Sequence, residues 1–174
     1  MIAKAFEKKI RDIDYPDVIA GTSTAGISPG TTLADRLKLP FIYVRGEKKT
    51  HGLKNQIEGI DSEKDLEGKS VLLIEDLIST GGSSIKAIEA IREANGKCGY
   101  CFSIFNYGLE KSREVFHELH PKCYTRSLLS YDKLIEIALK KEYISKEDVK
   151  MLEEWREDPF GWGEKHGFPR EAGN

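Results

Sequence analysis

Short apolar runs alternate along the chain with segments whose apolar residues recur every three or four positions. Ile2, Phe6 and Ile10 stand at helical spacing, so residues 2–12 read as an amphipathic helix. DVIAG (17–21) is a short apolar run closed by glycine, TSTAGISPG follows as a loop, and TTLADRLKL continues as a helix. Pro29 suits a first helical turn, where its missing N–H costs no hydrogen bond. FIYVR (41–45) predicts a strand, and GEKKTHGLKNQIEG predicts a polar loop punctuated by glycine. A strand over 71–75, a helix over 83–94, a strand over 99–105 and a helix over 110–119 follow. A short strand over 122–128 and helices over 131–142 and 145–157 complete the pattern. Strands separated by helices pair in parallel, because each helix carries the chain back to the starting end of the sheet. The expected fold class is α/β: a doubly wound, mainly parallel sheet flanked by helices. The pattern contains no internal repeat and no low-complexity linker, so a single domain over 1–174 is expected. The Gly-rich, aromatic tail over 158–174 reads as a surface strap or a frayed end.

Composition narrows the function. With 174 residues and 39% hydrophobic content, the chain can bury a sizeable core. A formal net charge of −2 lacks the basic excess of a non-specific nucleic-acid binder, so no nucleic-acid partner is expected. No apolar run approaches the roughly 20 residues that span a bilayer, so no membrane partner is expected either. The opening MIAKAFEKKIRDID has no signal-peptide core, which points to the cytoplasm. Three cysteines make an odd set, in keeping with a reducing compartment. Cys98 and Cys101 form C-x-x-C, with His117, His120 and Cys123 downstream, which raises a zinc site. GYCFSIF reads as a strand, however, and positions three apart on a strand point to opposite faces. Small buried residues are the simpler reading.

In doubly wound sheets ligands bind beyond the carboxyl ends of the strands. The loops over 21–28, 45–59 and 75–84 stand there. In VLLIEDLISTGGSS (71–84) an apolar strand runs into Glu75 and Asp76, and then into a loop opening a helix. Gly81 and Gly82 let the backbone approach an anion, and Ser79, Thr80 and Ser83 add hydroxyl donors. The loop lacks the lysine of G-x-x-x-x-G-K-[ST] and does not match G-x-G-x-x-G, so a monophosphate fits best. The alternative is a glycine turn with Ser83 capping the helix. Two adjacent carboxylates are costly without hydrogen bonds or a metal. A ribose 5-phosphate resolves the conflict: its phosphate enters the loop while its hydroxyls donate to Glu75 and Asp76. Magnesium bridging those hydroxyls to a pyrophosphate would relieve the repulsion further.

VLLIEDLISTGGS resembles the phosphoribosyl-pyrophosphate (PRPP) signature of the type I phosphoribosyltransferases. YVRGEKKTHGLKNQIEG (43–59) resembles the catalytic loop of the orotate phosphoribosyltransferases, R-x-x-x-K-x-H-G, with Arg45, Lys49, His51 and Gly52 in place. IAGTSTAGI resembles that family's pyrophosphate-side loop. The resemblance covers most of residues 17–157. It implies transfer of a 5-phosphoribosyl group from PRPP to orotate, with Mg2+ as cofactor and PRPP and orotate as ligands. Glu75, Asp76, Leu77, Ile78, Ser79, Thr80, Gly81, Gly82 and Ser83 would hold PRPP, and Ser79 would also border the orotate ring. Arg45, Lys49 and His51 would bind PRPP at its pyrophosphate and serve catalysis, with Thr24, Ala25 and Gly26 forming the pyrophosphate-side turn. Magnesium would be bound mainly through PRPP, near Glu75 and Asp76, with no direct protein site. A homodimer with shared active sites is implied, because the family's catalytic loop reaches the neighbouring subunit. Ala25 and Gly46 stand where some members carry a lysine and a second base. The family's N-terminal Ser-Gly…Ser-Pro-x-Tyr segment, which covers orotate, is expected to be missing before Met1. Transfer to another base and a non-catalytic PRPP-binding regulator are the alternatives.

Overall fold

A computed structural model describes residues 1–46, 56–60 and 63–168. By its contacts the chain forms two compact units, Met1–Leu129 and Ser130–Asn174. The first contains a six-stranded sheet of order β3-β2-β1-β4-β5-β6. Its strands are β1 (Val18–Thr22), β2 (Phe41–Val44), β3 (Ile57–Glu58), β4 (Ser70–Ile78), β5 (Lys97–Asn106) and β6 (Tyr124–Ser130). β1 pairs in parallel with β2 and with β4, and β4 pairs in parallel with β5. The helices of this unit are α1 (Ile2–Ile10), α2 (Ile27–Leu37), α3 (Gly82–Glu93) and α4 (Glu110–Glu118).

Both faces of the sheet are covered, so its central strands can be apolar throughout. Phe6 and Ile10 of α1 and Leu33 and Ala34 of α2 pack with Ile19, Leu72, Ile74 and Phe102. On the other side Ala87, Ile88 and Ile91 of α3 and Phe116 of α4 pack with Val18, Ala20, Val71 and Leu73. The doubly wound, mainly parallel α/β fold read from the sequence is the observed one.

Four local differences matter. α2 begins at Ile27, several residues earlier than its sequence pattern suggests, and Pro29 sits in its first turn. The polar loop after β2 contains β3, whose Ile57 and Glu58 pair antiparallel with Val44 and Tyr43. β4 runs on to Ile78 rather than stopping at Glu75, because β5 keeps pairing with it through Leu77 and Ile78. β5 carries a bulge: Ser70 pairs with Lys97 but Leu72 pairs with Tyr100, three residues on. The extra residue breaks the two-residue alternation. Cys98 and Cys101 therefore join one buried cluster with Cys123 rather than pointing to opposite faces. The Cys123 side chain, together with burial, raises the Cys98 thiol's pKa; burial raises that of Cys101. Among the described residues no group of three or more His, Cys, Asp or Glu side chains could hold a metal ion.

The second unit holds α5 (Tyr131–Lys140), α6 (Lys146–Glu157) and the short α7 (Trp162–Lys165). Ser130 caps α5, and Ser145 with Asp148 forms a capping box on α6. Tyr131 and Trp155 meet at 5.7 Å between ring centroids. Of the tail over 158–174, read from the sequence as a surface strap or a frayed end, residues 158–168 are described and contain α7. The Asp158 carboxylate accepts from the Gly161 N–H at 2.9 Å and from Lys165 Nζ at 2.7 Å. Trp162 stacks on His166 at 4.2 Å. No helix among the described residues is long and apolar enough to cross a membrane.

Candidate active site

The strand order reverses between β1 and β4, where successive connections leave in opposite directions and open a crevice at the strands' carboxyl ends. Gly21 of β1 pairs with Ile74 of β4, so Thr22 and Glu75 lie side by side at the floor of that crevice. Thr22 Oγ1 donates to Glu75 Oε1 at 2.5 Å.

From Thr22 the chain folds back sharply. The Gly26 N–H donates to the Thr22 carbonyl at 3.0 Å, and the Ser23 N–H to the Val44 carbonyl at 2.8 Å. The Ser23–Thr24 peptide is cis. Thr24 and Ala25 are exposed at the crest, while Gly26 is buried beneath them. A Cβ on Gly26 would lie 2.4 Å from Thr22 Oγ1 and 2.5 Å from the Ile74 carbonyl oxygen, so the turn closes only on glycine.

The second loop leaves β4. Leu77 is exposed and Ile78 buried; Ser79 and Thr80 are half-buried. Gly81 has φ +86°, a left-handed conformation suited to glycine, and it sets the start of α3. α3 has no side-chain cap. Ser83, read from the sequence as an alternative cap, instead lies inside the first turn and donates to Glu75 Oε2 at 3.3 Å. The helix thus presents its first backbone N–H groups and the positive end of its dipole at the crevice, which suits an anion.

Between these loops lies Glu75, only 4% exposed. Its Oε1 also accepts the Asp76 N–H at 3.2 Å, and its Oε2 accepts Ser84 Oγ at 3.1 Å. Burial pushes the carboxyl up from 4.5 to about 7; the Thr22 hydrogen bond opposes this, and Asp76 adds to it. Asp76 is half-buried.

The third loop is fixed at its base. The Arg45 N–H donates to the Gln56 carbonyl at 2.8 Å, and Gln56 Nε2 returns to the Arg45 carbonyl at 2.8 Å. Arg45 Nη1 meets Glu58 Oε1 at 3.1 Å. Lys49, His51 and Gly52 lie outside the described residues. The structure thus joins the residues over 75–83 with Thr24, Ala25 and Gly26 at the ends of neighbouring strands. Sequence reasoning missed Thr22, Ser84, Gln56 and Glu58. Thr22 is an unremarkable strand-end residue, and Ser84 is hidden behind a serine already noted. Gln56 and Glu58 stand in text read as loop.

The phosphoribosyl transferase domain model matches residues 1–119. An orotate phosphoribosyltransferase of Listeria innocua is 46% identical over 93% of this chain and 75% of its own length. The chain belongs to the orotate phosphoribosyltransferase family. One of Staphylococcus aureus is 47% identical over 82% of this chain and 67% of the relative. The fold agrees with this membership. The crystal structure of orotate phosphoribosyltransferase from Aeropyrum pernix superposes with a TM-score of 0.67 at 25% identity, covering 83% of this chain and 76% of that one. The loops after β1 and β4 both fall within the residues that the domain model matches.

Proposed function

We infer that the chain transfers the 5-phosphoribosyl group of PRPP to orotate, giving orotidine 5'-monophosphate and pyrophosphate in pyrimidine biosynthesis. The observation that carries this reading is the convergence of two anion-suited turns on one crevice between β1 and β4, in a chain of this family. The 5-phosphate belongs on the first turn of α3 and the loop Ser79–Ser83, where backbone N–H groups and the helix dipole favour negative charge. The pyrophosphate belongs at Thr24, Ala25 and Gly26, within reach of the strand end that carries Arg45. Asp76 is suited to accept ribose hydroxyls, and Ser79 to border orotate.

A ring nitrogen of orotate, its proton given up to solvent, attacks C1 of the ribose as the bond from C1 to the pyrophosphate oxygen breaks. The electron pair of that bond leaves with pyrophosphate, and positive charge builds on the ring. Catalysis rests on positioning both partners and on neutralising the leaving group. Arg45 serves the second task, with Lys49 and His51 on the same loop. Glu58 holds Arg45 in an ion pair and restrains its position.

The donor set tests the fit to magnesium. Asp76 is one half-buried carboxylate beside a Glu75 already hydrogen-bonded on both oxygens. That suits a cation which keeps several waters and takes phosphate oxygens as its other ligands, and it does not suit an all-protein cage. Mg2+ bound with PRPP would lower the charge of the pyrophosphate. A cytoplasmic homodimer, in which the loop after Arg45 serves the partner's crevice, completes the proposal. Sedimentation of the active enzyme as a monomer would remove that last part.

The deciding assay offers purified chain, PRPP and Mg2+ with orotate, uracil, adenine and hypoxanthine in turn. The expected outcome is orotidine monophosphate and pyrophosphate in equal amounts, from orotate alone. Turnover of another base in preference, or PRPP binding with no product from any base, would overturn the assignment.

A further inference from the structure

Arg45 carries more restraint than a surface arginine needs. β2 and β3 pair so that Tyr43 lies opposite Glu58 and Val44 opposite Ile57. Val44 and Ile57 are buried in the core, so the alternation of a strand turns Tyr43, Arg45 and Glu58 to the other face. Arg45 is there the diagonal neighbour of Glu58, a separation that a long side chain spans. Arg45 Nη1 accordingly donates to Glu58 Oε1 at 3.1 Å.

The backbone is held as well. The peptide between Val44 and Arg45 is tied on both edges: its carbonyl accepts the Ser23 N–H at 2.8 Å, and its N–H donates to the Gln56 carbonyl at 2.8 Å. Gln56 Nε2 then donates to the Arg45 carbonyl at 2.8 Å. Arg45 is thus fixed on either side of its Cα and again at its head.

A carboxylate beside a cation assigned to pyrophosphate repels that anion, so its presence calls for a reason. Stability is a weak one: the side chains of Arg45 and Glu58 are 43% and 27% exposed, and ion pairs open to water contribute little. Competition with the anion is also weak. The strong grip of a carboxylate on arginine uses two parallel N–H groups, whereas the contact here runs through Nη1. A guanidinium carries five N–H donors, so a single contact steers the group without consuming it.

We propose that Gln56 and Glu58 are positioning residues that aim Arg45, Gln56 through its backbone and Glu58 through its guanidinium, at the charge developing on the departing pyrophosphate. The proposal rests on the reading of Arg45 as a pyrophosphate ligand. Because that charge is greatest in the transition state, lost aim slows the chemical step more than it weakens PRPP.

The test measures orotidine monophosphate formation in a single turnover, with Mg2+ present and enzyme in excess over PRPP, beside PRPP affinity by calorimetry. A single turnover separates the chemical step from product release. Glu58→Ala and Gln56→Leu should each slow it roughly tenfold, with PRPP affinity within about threefold of wild type. Glu58→Gln, whose amide oxygen still accepts from Arg45, should return the rate to within about threefold of wild type. In an Arg45→Ala chain, Glu58→Ala should change the rate by less than about twofold, because nothing is left to aim. Melting temperatures should stay within about 4 °C of wild type; a larger fall marks a structural role and overturns the proposal. So does a Glu58→Ala effect that persists without Arg45, a PRPP affinity that falls as far as the rate, or a Glu58→Gln chain as slow as Glu58→Ala. Unchanged rates in both Glu58→Ala and Gln56→Leu overturn it too. An Arg45→Ala chain as fast as wild type overturns the reading of Arg45, and the proposal with it. A wild-type chain that makes no orotidine monophosphate overturns the function itself.

Discussion

Gly81 and Gly82 are neighbours in one loop, yet alanine should act oppositely at the two positions. Gly81 has φ +86°, and a Cβ there would lie 3.0 Å from Val115 Cγ2 and 3.2 Å from Phe116 Cε2. The left-handed conformation costs an L-residue about 1–2 kcal/mol. The contacts add to that, because Val115 and Phe116 belong to α4 and must yield by a few tenths of an ångström. Gly81→Ala should therefore destabilise by about 2 kcal/mol. Gly82 is the first residue of α3, and a Cβ there meets nothing within 4 Å. Alanine at that position mainly restricts the unfolded chain, and should stabilise by roughly 0.5–1 kcal/mol. The gap of about 3 kcal/mol corresponds to roughly 6–12 °C in melting temperature for a chain of this size. Thermal unfolding followed by circular dichroism measures it directly. PRPP affinity should also fall roughly tenfold in Gly81→Ala, since the turn that aims the α3 N-terminus is displaced. Equal melting temperatures for the two variants would refute the reasoning, as would a Gly81→Ala chain as stable as wild type.

Two further outcomes follow from the same crevice. Gly26→Ala places a Cβ 2.4 Å from Thr22 Oγ1 and 2.5 Å from the Ile74 carbonyl oxygen, so the turn must lift; unfolding in urea should register about 1–3 kcal/mol of lost stability, with the KM for PRPP raised. Glu75, whose burial raises its carboxyl from 4.5 to about 7, binds its proton more tightly in the folded chain than in the unfolded one. Its contribution is thus fully present below pH 4.5 and is lost as pH rises through about 7, by up to roughly 3 kcal/mol. Urea midpoints at pH 5 and pH 8 should separate for wild type more than for Glu75→Gln, and identical separations would sink this account.

Much of the fold was legible because burial on both sides makes a central parallel strand a continuous apolar run, and such runs as DVIAG and VLLI are hard to mistake. The strand ends were less legible. β4 continues through two carboxylates because β5 still pairs with it there, and pairing is a tertiary fact with no signature in the acids themselves. β3 was hidden for the same reason: two residues, Ile57 and Glu58, form a strand only because Tyr43 and Val44 lie opposite. The bulge in β5 defeated an argument from alternation, since one inserted residue moves Cys98 onto the face of Cys101. At the site, glycines and hydroxyls announced the two turns that meet at the crevice. The contact at the foot of the crevice was not announced, because Thr22 and Glu75 are 53 positions apart and become partners only when β1 and β4 lie side by side.

The adjacent acids can nonetheless be separated by the pleat of the strand. Val71 and Leu73 of β4 pack with α3, whereas Leu72 and Ile74 pack with α1 and α2. Side chains alternate along a strand, so position 75 continues the α3 series and position 76 the other. Glu75 therefore meets Ser83 and Ser84 because it is the next odd-numbered residue after Leu73, and the long side chain lets it reach Thr22 as well. Asp76 falls in the opposite series and is only half-buried. Two like charges side by side in sequence are tolerated because one is buried among donors and raised to about 7, which reduces the repulsion that two ionised groups would suffer. Adjacent acids at the end of a buried strand thus meet different surroundings because of the two-residue repeat. Exchanging the two acids, Glu75→Asp with Asp76→Glu, would preserve charge and composition while shortening the buried side chain that meets Thr22.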